Sequence, residues 1–182
     1  NFGNICAGIL AHHRGLPVEH FIAACNVNDV VPEYLRTEIL QPKETVATIP
    51  NAMDVGDPSN FVRILELFDK EFNQVKNKLS GYTIDDEETL KTIERVEKDY
   101  GYVLDPHGAV AFVALEKYLT ENDGKGFFLE TAHPVKFPDS VEQATGKSVE
   151  IPKSLEELMK QGKFTTEINP QHEELKEFLL KK

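Results

Sequence analysis

Apolar positions along the chain fall into two kinds of spacing. Phe61, Ile64, Leu65, Phe68, Phe72, Val75 and Leu79 recur every three or four residues, the period of one helical face, and Gly81 stands where such a helix can stop. Residues 5–14 read as a helix capped by Asn4 and ended by a left-handed Gly15. Asp85 and Glu88 have capping-box spacing ahead of a helix whose inner face is Leu90, Ile93 and Val96, with Gly101 at its end. Asp105-Pro106 puts a cap before a proline at the first helical position, and the Ala- and Val-rich residues 107–118 continue as a helix able to pack closely on a sheet. Shorter helices are expected around Ser140, Leu155 and Glu174.

The second spacing is a short continuous run. HFIAAC (residues 20–25) and GFFLET (residues 126–131) read as strands covered on both faces, and Asn28 and Asp29 carry helix-start chemistry before VVPEYL. Strands alternating with helices indicate an α/β fold, three-layered, with a mainly parallel sheet and flanking helices. Two or three strands are few for such a sheet, so the reading expects further strands, either unrecognised here or supplied by sequence outside this chain. Residues 41–58 are turn-rich without periodicity, as functional loops of this length often are. There is no internal repeat or low-complexity linker. Residues 1–182 therefore read as a single partial domain.

Composition narrows the picture. A net charge of −11, from 20 basic and 31 acidic residues, disfavours a nucleic-acid partner, which needs clustered Lys and Arg. No run approaches the length of a membrane span, so no membrane partner is expected. Cys6 and Cys25 lie in apolar segments without metal-ligand spacing, which suits free thiols in a reducing cytoplasm. His12, His13 and His20 share no ligand spacing, and no metal site is expected.

Three stretches could carry chemistry. NFGN, residues 1–4, places a glycine before the free N–H groups of a helix start, a seat for phosphate or carboxylate and also a common turn. ETAHPVKF, residues 130–137, sets Thr131 at the carboxyl end of the second expected strand, where α/β sheets bind ligands; equally, Thr131 caps the turn before Pro134. His133 lies beside it, lining a pocket or orienting the loop. His107, in the first turn of a helix, would be kept neutral by the helix dipole.

Taken in order, NFGNICAGILAHHRGLPVEHFIAACNVNDVVP, TIPNAMDVGDPSNFVRILELF, DPHGAVAFVAL and LETAHPVKFPDSVE resemble the threonine synthase family. These are pyridoxal-phosphate enzymes related to threonine dehydratase and the tryptophan synthase β chain. The resemblance runs the length of the chain but matches only the C-terminal portion of such an enzyme, part of its large cofactor-binding domain. It implies that an upstream domain carries the Schiff-base Lys, so no catalytic residue is assigned here and the chain alone is expected to be inactive. It implies pyridoxal 5′-phosphate as cofactor, its phosphate held by Asn1, Phe2, Gly3 and Asn4, the latter part of the family's Ser-Gly-Asn-Phe-Gly loop. Thr131 matches the residue facing the pyridine nitrogen. Asn51, Asp54 and Asn60 belong to a segment distinctive of these enzymes and, with His107 and His133, are candidates for the substrate pocket. The implied reaction converts O-phospho-L-homoserine and water to L-threonine and phosphate, in the cytoplasm.

Two alternatives stay open at this point. One is a phospho-lyase or dehydratase relative, whose product would be an oxoacid. The other is a non-catalytic phosphate-binding or association module. An incomplete sheet leaves an edge and an apolar face, so the chain is expected to self-associate.

Overall fold

The computed structural model describes residues 1–162 and 164–181. Residues Asn1–Val149 form one compact unit and Glu150–Lys182 a second. In the first, α1 (Gly3–His13) leads to β1 (Phe21–Cys25) and α2 (Val30–Thr37), then through the long loop to α3 (Phe61–Leu67), α4 (Phe72–Lys78) and β2 (Leu79–Thr83). α5 (Asp86–Tyr100), α6 (Pro106–Glu121) and α7 (Pro138–Thr145) follow. β1 and β2 pair in parallel, Phe21 opposite Leu79 through Cys25 opposite Thr83.

This is an α/β arrangement with helices on both faces of a small parallel sheet. Alternation along the strands decides which residue faces which layer. Ala23 packs into a core with Ile9 of α1, Val31 and Leu35 of α2, Phe61 and Ile64 of α3 and Val75 of α4. Its neighbour Ala24 turns the other way, with Tyr82, toward Val110 and Val113 of α6. A third cluster joins Ile93 and Val96 of α5 to Leu104 and Ala109. The second unit holds α8 (Lys153–Met159) and α9 (His172–Leu180). There Glu174 reaches back to accept from the backbone N–H and side-chain amide of Asn169, at 3.0 and 2.8 Å, tying down the start of α9.

Several expectations hold. Gly15 is left-handed at φ 106° and Gly101 at φ 65°, each just past a helix end. Asp85 accepts from the N–H of Glu88 at 2.8 Å, while Glu88 itself pairs with Lys117 instead of closing the box. Asp105 caps α6, with Pro106 in its first turn.

Others need correction. The helix expected over residues 61–79 is broken: Asp69 and Lys70 are both left-handed, at φ 53° and 60°, and split it into α3 and α4. The apolar positions stay on one side because each half still presents its face to the same core. Gly81 is not a helix stop. It lies in β2, where a Cβ would stand 2.7 Å from the Pro32 Cα, so its bareness lets α2 lie directly on the strand. Residues 126–131 form no strand. Among the described residues no neighbour offers them a backbone ladder, and Phe127 and Leu129 are 71% and 52% exposed. Phe128 and Glu130 turn inward, the Phe128 ring 5.5 Å from that of Phe112.

Candidate functional site

The chain opens on a helix whose start carries no side-chain cap. Phe2 adopts φ 58°, ψ 20°, a left-handed conformation unusual for an aromatic residue, held by packing of its ring 6.2 Å from that of Phe61. The first helical hydrogen bond runs from Cys6 N–H to Phe2 O (3.0 Å), so the N–H groups ahead of it lie outside the ladder. Asn4 is not the cap expected from sequence: the helix begins two residues earlier than expected, at Gly3, and Asn4 sits inside its first turn.

Asn60 borders this opening. The Asn1 side-chain oxygen accepts from Ser59 Oγ at 3.0 Å and from the Asn60 N–H at 3.4 Å. A Cβ on Gly3 would have the Asn60 Nδ2 as its nearest neighbour, at 3.7 Å. The donors gathered here are backbone N–H groups and neutral amides, with no acidic residue in the first helical turn. That set fits a phosphate dianion.

A second group forms where the long loop folds against α6. Asp54 anchors the loop. Its Oδ1 accepts from Asn26 Nδ2 (2.7 Å), Thr48 Oγ1 (2.6 Å) and Asn28 Nδ2 (3.1 Å), and its Oδ2 from the Thr48 N–H (3.1 Å). Nearby, the Lys43 N–H donates to Gly56 O at 2.9 Å, and a Cβ at Gly56 would stand 1.9 Å from Lys43 O. The clamp presents the 3-10 turn Asn51–Met53, with Asn51 itself exposed.

His107 meets that turn. The Ala52 N–H donates to His107 Nε2 at 3.1 Å, so in the neutral ring the proton sits on Nδ1. Nδ1–H then donates to Asp105 Oδ1 at 2.6 Å, and the His107 backbone N–H donates to the same oxygen at 2.9 Å. The Phe137 ring closes over the imidazole, 4.8 Å away. Asp105 in turn donates its N–H to Glu130 Oε1 at 3.0 Å. Burial disfavours charge on Asp105, yet the donors of His107 and the nearby Glu130 carboxyl outweigh it and hold that carboxyl below its usual range. Burial, then the adjoining Asp105 carboxyl, pushes Glu130 up to about 7.

Thr131 follows Glu130 and is exposed. It does not cap the Pro134 turn. That role falls to His133, whose Nδ1 accepts from the Val135 N–H at 3.1 Å. The structure thus joins Asn1, Phe2, Gly3 and Asn60 in one group, and the Asn51 turn, His107 and the Glu130–Thr131 step in another. Sequence reasoning missed Asn26, Asn28 and Thr48 as Asp54 partners, and it missed Glu130. Asp105 was legible only as a cap. Cys6 and Cys25 are free thiols, Cys25 buried and its thiol raised by desolvation. Among the described residues no cluster of His, Cys, Asp and Glu could hold a metal ion, and no helix is long and apolar enough to cross a membrane.

A family profile described as "Threonine synthase, C-terminal" matches residues 108–179. Threonine synthase from Escherichia coli (strain K12) is 48% identical over 158 residues, covering 86% of this chain and 36% of that protein. The crystal structure of threonine synthase from Escherichia coli superposes with a TM-score of 0.86 at 42% identity, covering 98% of this chain. The chain belongs to the threonine synthase family. A crystal structure of PLP-bound threonine synthase from Brucella melitensis is similar at TM-score 0.83 and 29% identity, over 98% of this chain and 44% of that one. The chain spans about two-fifths of the length of the threonine synthases it matches.

Proposed function

We propose that this chain is the C-terminal portion of the large cofactor-binding domain of a threonine synthase, one that converts O-phospho-L-homoserine and water to L-threonine and phosphate. The observation that carries this is the uncapped start of α1, a set of free backbone donors bordered by Asn1 and Asn60 in a chain whose fold matches a PLP-bound relative. Asn1, Phe2, Gly3 and Asn4 would hold the phosphate of pyridoxal 5′-phosphate: the N–H groups by donation, Gly3 by close approach, Phe2 by fixing the turn. When bound, that cofactor supplies an electron sink for breaking bonds to the substrate carbons.

Thr131 would face the ring nitrogen with a neutral hydroxyl, which accepts or donates a hydrogen bond without forcing protonation. Asn51 and Asn60 would line the substrate pocket. Asp54 would act on its shape, because its carboxylate is occupied by Asn26, Asn28 and Thr48. His107 would hold the Asn51 turn from behind through Ala52, and His133 the 134–136 turn. Among the described residues neither group holds a Lys, so the chain alone would not turn over. The outer edges of β1 and β2 and the exposed Phe127 and Leu129 support self-association of the isolated chain. A cytoplasmic, biosynthetic role is consistent with this reading.

The test supplies PLP and O-phosphohomoserine to the full enzyme and to residues 1–182, and quantifies threonine, oxoacid and phosphate. Threonine with equimolar phosphate from the full enzyme alone supports both halves of the proposal. Oxoacid from the full enzyme would move the assignment to a phospho-lyase, and threonine from residues 1–182 would overturn the inactivity of the isolated chain.

A further inference from the structure

The contact between Asp105 and Glu130 has a proton-counting problem. Asp105 is fully buried, and Glu130 reaches it across the first turn of α6. Asp105 Oδ1 takes two donors from His107, and Glu130 Oε1 takes the Asp105 N–H. The two remaining oxygens, Asp105 Oδ2 and Glu130 Oε2, are buried and have no donor among the described residues. Two ionised carboxylates so placed would each hold an unsatisfied acceptor and repel one another, a costly arrangement away from water. One proton removes both difficulties. The niche is also shaped for it: a Cβ on Gly108 would stand 1.8 Å from Glu130 Oε2, so only glycine at that position admits the carboxyl.

We propose that Glu130 is a positioning residue that shares one proton with Asp105, donating Oε2–H to Asp105 Oδ2, and that this bridge ties the Glu130–Thr131 step to the Asn51 turn. The path runs through named hydrogen bonds: Glu130 to Asp105, Asp105 to His107 Nδ1, and His107 Nε2 to the Ala52 N–H. The pair carries one negative charge, and the His107 ring meets the Ala52 N–H through Nε2 and Asp105 through Nδ1. The titratable groups set against the pair are His107 on α6 and Tyr102 in the α5–α6 connection, whose phenol is raised by burial and by both carboxylates. Loss of the shared proton would set two anions face to face and release the 130–131 step. The protonation stands apart from the enzymatic assignment. The consequence for Thr131 rests on its proposed ring-facing role.

The test needs no cofactor and no turnover. The protein is labelled with 13C at Glu side-chain carboxyls, and the Glu130 signal is assigned by its loss in Glu130→Gln. The expected result is a Glu130 carboxyl that stays protonated well above the ordinary glutamate range. In Gly108→Ala, where the added methyl displaces a flexible carboxylate, it should titrate as an exposed glutamate. Hydrogen-exchange protection of the Ala52 amide is read alongside. It should fall as Glu130 ionises in the wild type and lose that dependence in Glu130→Gln, whose amide keeps a donor for Asp105. A Glu130 signal that titrates with the exposed glutamates in the wild type would overturn the proposal, whether or not the variants fold. So would Ala52 protection with the same pH dependence in Glu130→Gln.

Discussion

α1 and α6 start in opposite ways. α6 is closed: Asp105 occupies its cap, Pro106 has no N–H to satisfy, and Glu130 takes the Asp105 N–H. α1 is open: a left-handed Phe2 replaces the cap, and among the described residues no side chain caps its first donors. Every α-helix has the same surplus of N–H groups at its start. Where the chain fills that surplus with its own carboxylates, the helix end becomes a structural joint, here linking α6 to the long loop and to residues 130–131. Where it leaves the surplus bare and borders it with amides, the helix end is free to take an outside anion.

The strongest way to break the contrast is Asp105→Ala. It removes the α6 cap, worth about 1 kcal/mol, and strands the buried His107 Nδ1–H, worth about 2 kcal/mol more. Urea unfolding should show a loss of about 3 kcal/mol on this sum of the two contributions.

pH should separate the two ends next. A carboxyl raised in the folded state, as Glu130 is, binds more protons folded than unfolded, so its contribution is complete below the ordinary value of 4.5 and is lost as pH rises through about 7. Asp105, depressed in the folded state, contributes above its ordinary 3.8 and loses that contribution as pH falls through its lowered value. Stability measured from pH 4 to 8 should decline on the alkaline side, and Glu130→Gln should flatten that decline.

At α1, Asn60→Ala should weaken binding of phosphate or PLP by about fivefold, the worth of one neutral hydrogen bond, and change stability by under about 0.5 kcal/mol. Calorimetric titration with inorganic phosphate, beside an unfolding curve, checks both. The smallest stability change is expected from Gly3→Ala. Its methyl meets only the Asn60 Nδ2 at ordinary contact distance, so a thermal melt should move little while phosphate affinity falls as the backbone approach narrows.

The helix ends were the most legible parts of the chain. Asp105-Pro106, Asp85 and Gly101 signal a start, a start and a stop by chemistry that acts within a few residues, and each does so in the structure. β1 was legible as a continuous apolar run. β2 was not, because LSGYT carries neither a run nor an alternation, and it exists as a strand only because β1 lies beside it. GFFLET shows the converse: a good strand pattern stays unpaired among the described residues when no ladder is offered. Within the site, NFGN and the residues of the Asn51 turn were visible as motifs, while Glu130 looked like one acidic residue among many.

What the sequence determined by itself is therefore local: caps, stops, apolar faces and the residue types that make an anion seat or a family signature. Tertiary structure alone decided the rest. It split residues 61–79 at two left-handed positions, made Gly81 a packing contact and spent Asp54 on the loop clamp. It also brought Glu130 against Asp105 across 25 positions of chain. Caps answer to neighbours a turn away, whereas strand pairing and buried carboxyl chemistry depend on partners that only the folded chain delivers, together with the desolvation that gives those partners their effect.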